Sequence, residues 1–454
     1  MERSLTYRLL KQPKDIAALA SFRILFGGLM CFGALRFMWE GWIEKLYVAP
    51  RFFFKFYGFE WVEPLGESGM YLVYLLIALS AAGIMLGFLY RISATVFFIS
   101  FTYVELLDAT NYLNHYYLVC LLAFYLIFLP AHQAFSLDVR RKAVPSRREV
   151  PAWCIHLIML QLGLVYFYAG VAKLNADWLF RAMPMAAWLP EHTDLPLLGY
   201  FFQFWETAFI FSWVGACYDL TVAFFLLWNR TRIWAYLVVV AFHLMTHLLF
   251  NIGLFPFIMI FSTLIFFPGN MHRIVLEKLF GSQGQTKTKD SSRIVVRESA
   301  LPSLLRPVLQ YGIAFLLLFQ FLFPLRHFLY QSDVMWSEEG YRFSWRVMLV
   351  EKHGLATFTI EDPATGRKNE IINNTYLTTF QEKQMSIQPD FMLQYAHFLA
   401  REYEQKHGFH NPIVKVDAHV ALNGRSSRRF IDPDINLNGI QDDFLPKKWI
   451  LAAN

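Results

Sequence analysis

Lys173 is the residue in this chain whose type and setting most directly imply chemistry. It stands in VYFYAGVAKLNADW, Val165 to Trp178, where an apolar, aromatic stretch carries one lysine near its end. An ammonium in hydrocarbon is costly, so this side chain either reaches back to an interface or sheds its proton and becomes a usable base. His115, in LLDATNYLNHYYL, is a second basic group at the start of an apolar run, where capping a helix is the bland alternative. His243 and His247, in AFHLMTHLLF, stand four apart on one helical face; that spacing can bind a metal, but no third ligand accompanies it. Asp219, Glu206, Asp108 and Arg23 complete the charged groups within or beside apolar segments. A carboxylate at Asp219 must be protonated or paired, with Arg23 or a histidine as candidate partners, and structural pairing is its expected role.

The elements that hold these groups are membrane spans. Of 454 residues, 56% are hydrophobic and only 17% charged, too apolar for an ordinary soluble enzyme of this length. A bilayer crossing needs about 20 apolar residues. That length is met or approached by Phe22–Trp39, Met70–Tyr90, Ile92–Tyr112, Tyr116–Ala134, Trp153–Val171, Phe201–Trp228, Ile233–Phe250, Gly253–Phe267 and Val308–Phe328, the eighth being the weakest. The expected fold is therefore a mainly α polytopic membrane protein with about nine transmembrane helices.

Lysine and arginine near span ends stay on the cytoplasmic side. Arg3, Arg8, Lys11 and Lys14 precede the first span, Arg91 links the second and third, and Arg140, Arg141, Lys142, Arg147 and Arg148 follow the fourth. Arg230 and Arg232 follow the sixth, and Lys278, Lys287, Lys289, Arg293 and Arg297 lie between the last two. An odd number of spans then puts the N-terminus in the cytoplasm and the C-terminal region outside. The formal charge of +6 reads as a topology signal and calls for no nucleic acid. Residues 1–20 are polar and amphipathic, so the first span is expected to act as its own insertion signal. Cys31, Cys120, Cys154 and Cys217 all fall inside expected spans, which offers no disulfide framework and no cysteine metal site.

The chain divides into a helical bundle, residues 1–328, and an extracytoplasmic α+β domain, residues 329–454. In the second part Tyr341–Leu349, Ala356–Ile360, Pro412–Leu422 and Ser427–Ile431 alternate as strands do, and Ile387 to His407 reads as an amphipathic helix. Gly281–Ser292 has the composition of a flexible linker. Asp432 to Asp443, DPDINLNGIQDD, places Asp434, Asn436 and Asn438 at alternate positions before Gly439, as calcium loops do, yet the twelfth position is Leu445, and a polar turn is the favoured reading. Asn373-Asn374-Thr375 is a glycosylation sequon, meaningful only in a glycosylating host.

Nearly end to end, the chain resembles the vitamin K-dependent γ-glutamyl carboxylases and their prokaryotic relatives with an HTTM domain. The resemblance runs through DIAALASFRILFGGLM, GIMLGFLYRIS, LLDATNYLNHYYL, VYFYAGVAKLNADW, YDLTVAFFLLW, FHLMTHLLFNIGLF, LFPLRHFLYQ and GYRFSWRVM to RRFIDPDI, in that order. It implies oxidation of a vitamin K hydroquinone by O2 to its 2,3-epoxide, coupled to removal of a glutamate γ-proton and capture of CO2, with no metal. By the same resemblance Lys173 is the base that deprotonates the hydroquinone and His115 supports the oxygenated step. His243 lies near the quinone, with Asn114, Tyr166 and His247 as further quinone-binding positions. The animal enzymes carry a lysine pair where this chain has Ala172–Lys173, a small polar residue where it has His247, and luminal cysteines that it lacks. Their luminal part also continues past the position matching Asn454 and helps to recognise a propeptide. Membrane lipid, the quinone and a glutamate-bearing protein or peptide are the implied partners, and a bacterial inner membrane is the expected setting, or the lumenal side of the endoplasmic reticulum in a eukaryote. An epoxidase that never carboxylates, and a non-enzymatic binding or transport protein built on the same bundle, are the competing readings.

Overall fold

The computed structural model describes residues 11–250, 252–281 and 305–453. Arg3, Arg8, Lys287, Lys289, Arg293, Arg297 and the expected linker beyond Gly281 lie outside the described residues. The bundle is built from α1 (Ala17–Trp39), α2 (Gly66–Leu86), α3 (Tyr90–Glu105), α4 (Asn114–Phe128), α5 (Trp153–Ala172), α6 (Trp205–Leu227), α7 (Arg232–Leu249), α8 (Phe255–Thr263), α9 (Gly269–Phe280) and α10 (Leu305–Leu322). Two short strands, β1 (Pro13–Asp15) and β2 (Glu149–Pro151), pair antiparallel beside α1 and α5.

Among the described residues six helices are long and apolar enough to cross a membrane, or seven if the bent pair formed by Phe255–Phe266 and Gly269–Phe280 counts as one span. The expected nine is corrected accordingly, and each shortfall has a local cause. The third expected span stops at Glu105, because Asp108 accepts a hydrogen bond from the Thr110 amide and opens a 3-10 turn, Ala109–Asn111. The fourth stops at Phe128, before Pro130, whose ring disfavours helix in the residue ahead of it. At 1.5 Å per residue α3 and α4 reach about 24 and 22 Å, short of a hydrocarbon core of about 30 Å. The eighth, Gly253–Phe267, is helical only from Phe255 to Phe266 and ends before Pro268, where the chain turns through 113° into α9.

Close helix packing is set by residues without side chains to keep backbones apart. At Gly27 of α1 an added Cβ would lie 2.4 Å from the Met85 amide nitrogen of α2. Arg23, completely buried one turn earlier, donates to the Ile84, Met85, Ala131 and Phe135 carbonyls at 2.7–3.1 Å, which ties α1 to the end of α2 and to the segment after α4. These carbonyls satisfy a guanidinium that would be prohibitively costly to bury alone.

The C-terminal part carries β3 (Lys352–Glu361), β4 (Lys368–Glu370), β5 (Ile413–Leu422) and β6 (Arg428–Arg429) in an antiparallel sheet of order β4-β3-β5-β6, with helices α11 (Thr379–Met385) and α12 (Pro389–His407). β3 and β5 pair over their full length, from Lys352 opposite Leu422 to Glu361 opposite Ile413. Val414, Val416, Ala418, Val420 and Leu422 of β5 are buried on one face, against α12, whose Leu393, Ala396, Leu399 and Ala400 repeat at helical spacing.

One expected strand is absent. Tyr341–Leu349 is a turn-rich segment with positive φ at Phe343, Trp345 and Met348 (60°, 57° and 54°). Its alternation arises because successive large side chains are inserted into the bundle: Phe343 packs on Tyr112 and Tyr117, and Trp345 stacks on Tyr117 at 5.0 Å. In the Asp432–Asp443 turn, Asn436 Oδ1 accepts from the amides of Val414 and Asn438, so this oxygen is committed to the turn itself. The sequon asparagine, Asn373, is buried and donates to the Ala356 carbonyl and Glu382, which removes it from solvent.

Candidate active site

Lys173 directly follows α5, and its Nζ lies 2.7 Å from Asp219 Oδ2 on α6. The two residues are 5% and 6% exposed, which sets the interfacial alternative for Lys173 aside. The same nitrogen donates to the Ala169 carbonyl at 3.3 Å and sits 5.0 Å from the Trp178 ring centre. Asp219 is thus paired with the lysine, a correction to the expected Arg23 or histidine partner; Arg23 is engaged with backbone carbonyls in another part of the bundle.

Gly170 explains how two residues so far apart in sequence meet. A Cβ there would fall 2.7 Å from the Leu220 amide nitrogen, so the bare backbone lets α5 and α6 approach closely at the level of the pair. Beyond Lys173 the chain continues alongside α6: Trp178 Nε1 donates to the Ser212 carbonyl and Trp213 Nε1 to the Leu179 carbonyl. From Trp205 to Asp219, α6 rises about 21 Å. The ion pair is therefore deep in the helix pair, roofed by the segment after α5.

The pair lines a cavity of about 360 Å³ between α5, α6, α7 and α8, which Val347 and Met348 of the C-terminal part also line. Its walls are almost wholly apolar and aromatic, with Trp178, Tyr218, Phe242 and Phe255 among them. A second polar group lies two turns earlier along α5: Tyr166 Oη is 3.2 Å from His243 Nε2, 3.4 Å from Thr263 Oγ1 and 3.5 Å from Tyr218 Oη. His243 is 2% exposed and its Nδ1, buried, has no hydrogen-bond partner among the described residues.

The other residues singled out from sequence lie around this cavity at different distances. His115 is buried with its ring 5.4 Å from Phe255, whose other neighbour is His243 at 5.6 Å, so one phenylalanine separates the two imidazoles. Asn114 accepts from Tyr112 Oη and donates to the Arg346 carbonyl at 2.9 Å, fixing the start of α4 to the C-terminal part. His247 is exposed, meets Phe257 at 5.2 Å and is not part of the cavity lining. Glu206 is exposed at the start of α6, and Asp108 accepts from Gln381 of α11. Among the described residues no three of His, Cys, Asp and Glu gather as a metal site. Tyr218, Thr263 and Trp178 were not anticipated; nothing in their spacing distinguishes them from ordinary core residues.

Outside the spans, Asp177 lies on the roof above the pair, held by Arg425 and Asn423 of the C-terminal part at 2.6 and 2.9 Å. Burial pushes its carboxyl up, but the hydrogen bonds from Arg425 and Asn423 and the charges of Arg425 and Arg181 outweigh that and hold it below the ordinary carboxylate value.

A family model described as HTTM domain matches residues 11–270, and one described as vitamin K-dependent gamma-carboxylase, lumenal domain, matches residues 305–454. No solved structure matches the chain.

Proposed function

This chain belongs to the vitamin K-dependent gamma-carboxylase family, and on that premise we propose that it couples oxidation of a vitamin K hydroquinone to its 2,3-epoxide with carboxylation of glutamate. The observation that carries this reading is the largely apolar cavity of about 360 Å³ with a buried lysine in its lining. Ligand pockets run from about 300 to 1,000 Å³, so the volume suits a bicyclic ring, and the lining suits one that partitions into lipid. His243 Nδ1, buried and without a hydrogen-bond partner among the described residues, is a further mark of fit, since a ligand oxygen would satisfy it.

When bound, the reduced quinone supplies the reaction with O2 that makes a glutamate γ-proton removable, and CO2 supplies the new carboxyl carbon. The protein's part is proton handling and orientation. Lys173 Nζ takes the hydroquinone O–H proton from the state in which the pair has lost one proton and stands as amine beside carboxylate, and the ammonium so formed restores the ion pair with Asp219, 2.7 Å away. Charge thus appears in an apolar space beside its counter-charge, where it would otherwise be several kcal/mol more costly. Tyr166 and His243 orient the ring, with Thr263 holding the Tyr166 hydroxyl, His115 acts from behind Phe255, and Asn114 holds the helix end that carries His115. Trp178, Val347 and Met348 exclude water. In this reading the N-terminus is cytoplasmic, residues 329–454 form the extracytoplasmic part, and the second substrate is a glutamate-bearing protein or peptide.

The test incubates detergent-purified protein with vitamin K hydroquinone, O2, carbon-labelled bicarbonate and a glutamate peptide. Epoxide and labelled peptide are expected together, and Lys173→Ala should abolish both while leaving thermal unfolding cooperative. Epoxide formation undiminished in Lys173→Ala overturns the assigned base. No product from the wild-type protein favours the binding or transport reading.

A further inference from the structure

The cavity is not sealed toward the membrane. Four of its lining residues, Ile210 and Val214 of α6 and Val238 and Ala241 of α7, are also exposed on the bundle's outer surface, the first three by 60%, 57% and 52%. A residue that both lines a cavity and faces outward marks an opening, and these four lie on neighbouring helices. Toward the C-terminal part the same cavity is closed by Trp178, Met185 and Leu249, each no more than 6% exposed. The opening is apolar throughout and lies along two helices long and apolar enough to span a membrane.

We infer that the gap between α6 and α7 is a lateral portal, through which a lipid-dissolved quinone enters ring first and where its isoprenoid tail remains lodged. The inference rests on the quinone reading above and specifies the ligand further: a ring carrying a long apolar chain. Volume supports this. About 360 Å³ is near the lower end of ligand pockets, enough for a fused ring but not for several isoprene units as well, so a tailed ligand must project out of the cavity. The polar groups at the inner walls, Lys173 and the Tyr166–His243 pair, give the ring end its anchors, and the exposed valines, isoleucine and alanine offer the chain only dispersion contacts and burial. The side chains at the gap are small or β-branched, which leaves width for a chain; a larger ring at Val214 or Ala241 would fill it.

The experiment compares a naphthoquinone carrying four isoprene units with the tailless ring, menadione. Binding to detergent-purified wild type, Val214→Phe and Ala241→Phe is followed by quenching of tryptophan fluorescence, which Trp178 in the cavity wall makes sensitive to an occupied site. Leu237→Phe, on the exposed face of α7 but outside the lining, is the control. The portal predicts at least a tenfold weaker dissociation constant for the tailed quinone in both portal variants, unchanged menadione binding there, and wild-type behaviour of the control. Retained menadione binding also shows that the variants are folded. If the wild type binds both quinones but the portal variants weaken neither, or both equally, the portal is overturned and the quinone site stands. If the wild type binds neither quinone, the quinone reading itself falls, and the portal with it.

Discussion

At the scale of single residues the decisive feature is the pairing of Lys173 with Asp219. The lysine was legible in the sequence, because an isolated charge in an aromatic membrane segment has few harmless explanations. Its partner was not, since the two stand 46 positions apart with no linking pattern, and contact across a helix pair depends on how closely two backbones approach. A buried pair of this kind contributes little net stability when intact, yet removing one partner typically costs about 3–5 kcal/mol, because the other charge is stranded. Asp219→Leu should therefore lower the thermal midpoint markedly. Lys173→Met combined with Asp219→Leu should recover most of that loss while forming no epoxide. A double variant no more stable than the sum of the single changes would show that the two side chains do not act as a unit. The same logic separates a catalytic lysine from a structural one: stability follows the balance of the pair, whereas activity follows the lysine alone.

At the scale of elements, Gly170 is where sequence becomes geometry. The motif AGVAKL places a glycine one turn before Lys173, and the 2.7 Å clearance to the Leu220 amide leaves no room for a Cβ. The obstacle is backbone, which cannot swing aside as a flexible side chain would. Gly170→Ala should force α5 and α6 apart, with a destabilisation of about 1–3 kcal/mol as in other overpacked interiors. It should also lower the rate of epoxide formation more than it changes the apparent hydroquinone affinity, because it disturbs the lysine and carboxylate rather than the apolar walls. A variant with normal rate and a normal melting temperature would mean that the helices do not need this approach. Most bundle helices were readable from apolar runs, and so was the alternating strand β5, whereas α9 and α11, which carry no long apolar run, were not. The misread elements share one cause. A run of apolar residues records burial but not the backbone that buries it, so Tyr341–Leu349, buckled at Phe343, Trp345 and Met348, resembles a strand. For the same reason α3 and α4 resemble full spans although turns at Asp108 and before Pro130 cut them short.

At the scale of the whole molecule, the bundle and the C-terminal part share one apolar interface. Phe54 meets Phe391 at 4.8 Å and Phe56 meets Phe343 at 5.6 Å, while Val347 and Met348 reach the cavity itself. Composition marks where the membrane segments give way to mixed sequence, but not that the second part completes the first part's site. Asp177 and Arg425 are the charged fastening of this union, joining the roof over Lys173 to the turn that follows β5. Because the folded state holds the Asp177 carboxyl below its unfolded value of about 3.9, the pair's contribution is present above that pH and is lost as pH falls through the lower folded value. Arg425 is 39% exposed, so solvent screening limits the effect to about 1 kcal/mol or less. Asp177→Asn should therefore lower the thermal midpoint by about 1 °C at pH 7, and the gap between variant and wild type should close as the pH drops below about 4. A gap that stays constant across the acid range would mean that the ionised carboxylate does not fasten the two parts, leaving their aromatic contacts to do so. Since the roof covers the buried lysine, loosening the fastening should also admit water to the cavity, and epoxide formation in Asp177→Asn should fall even at a pH where the protein remains folded.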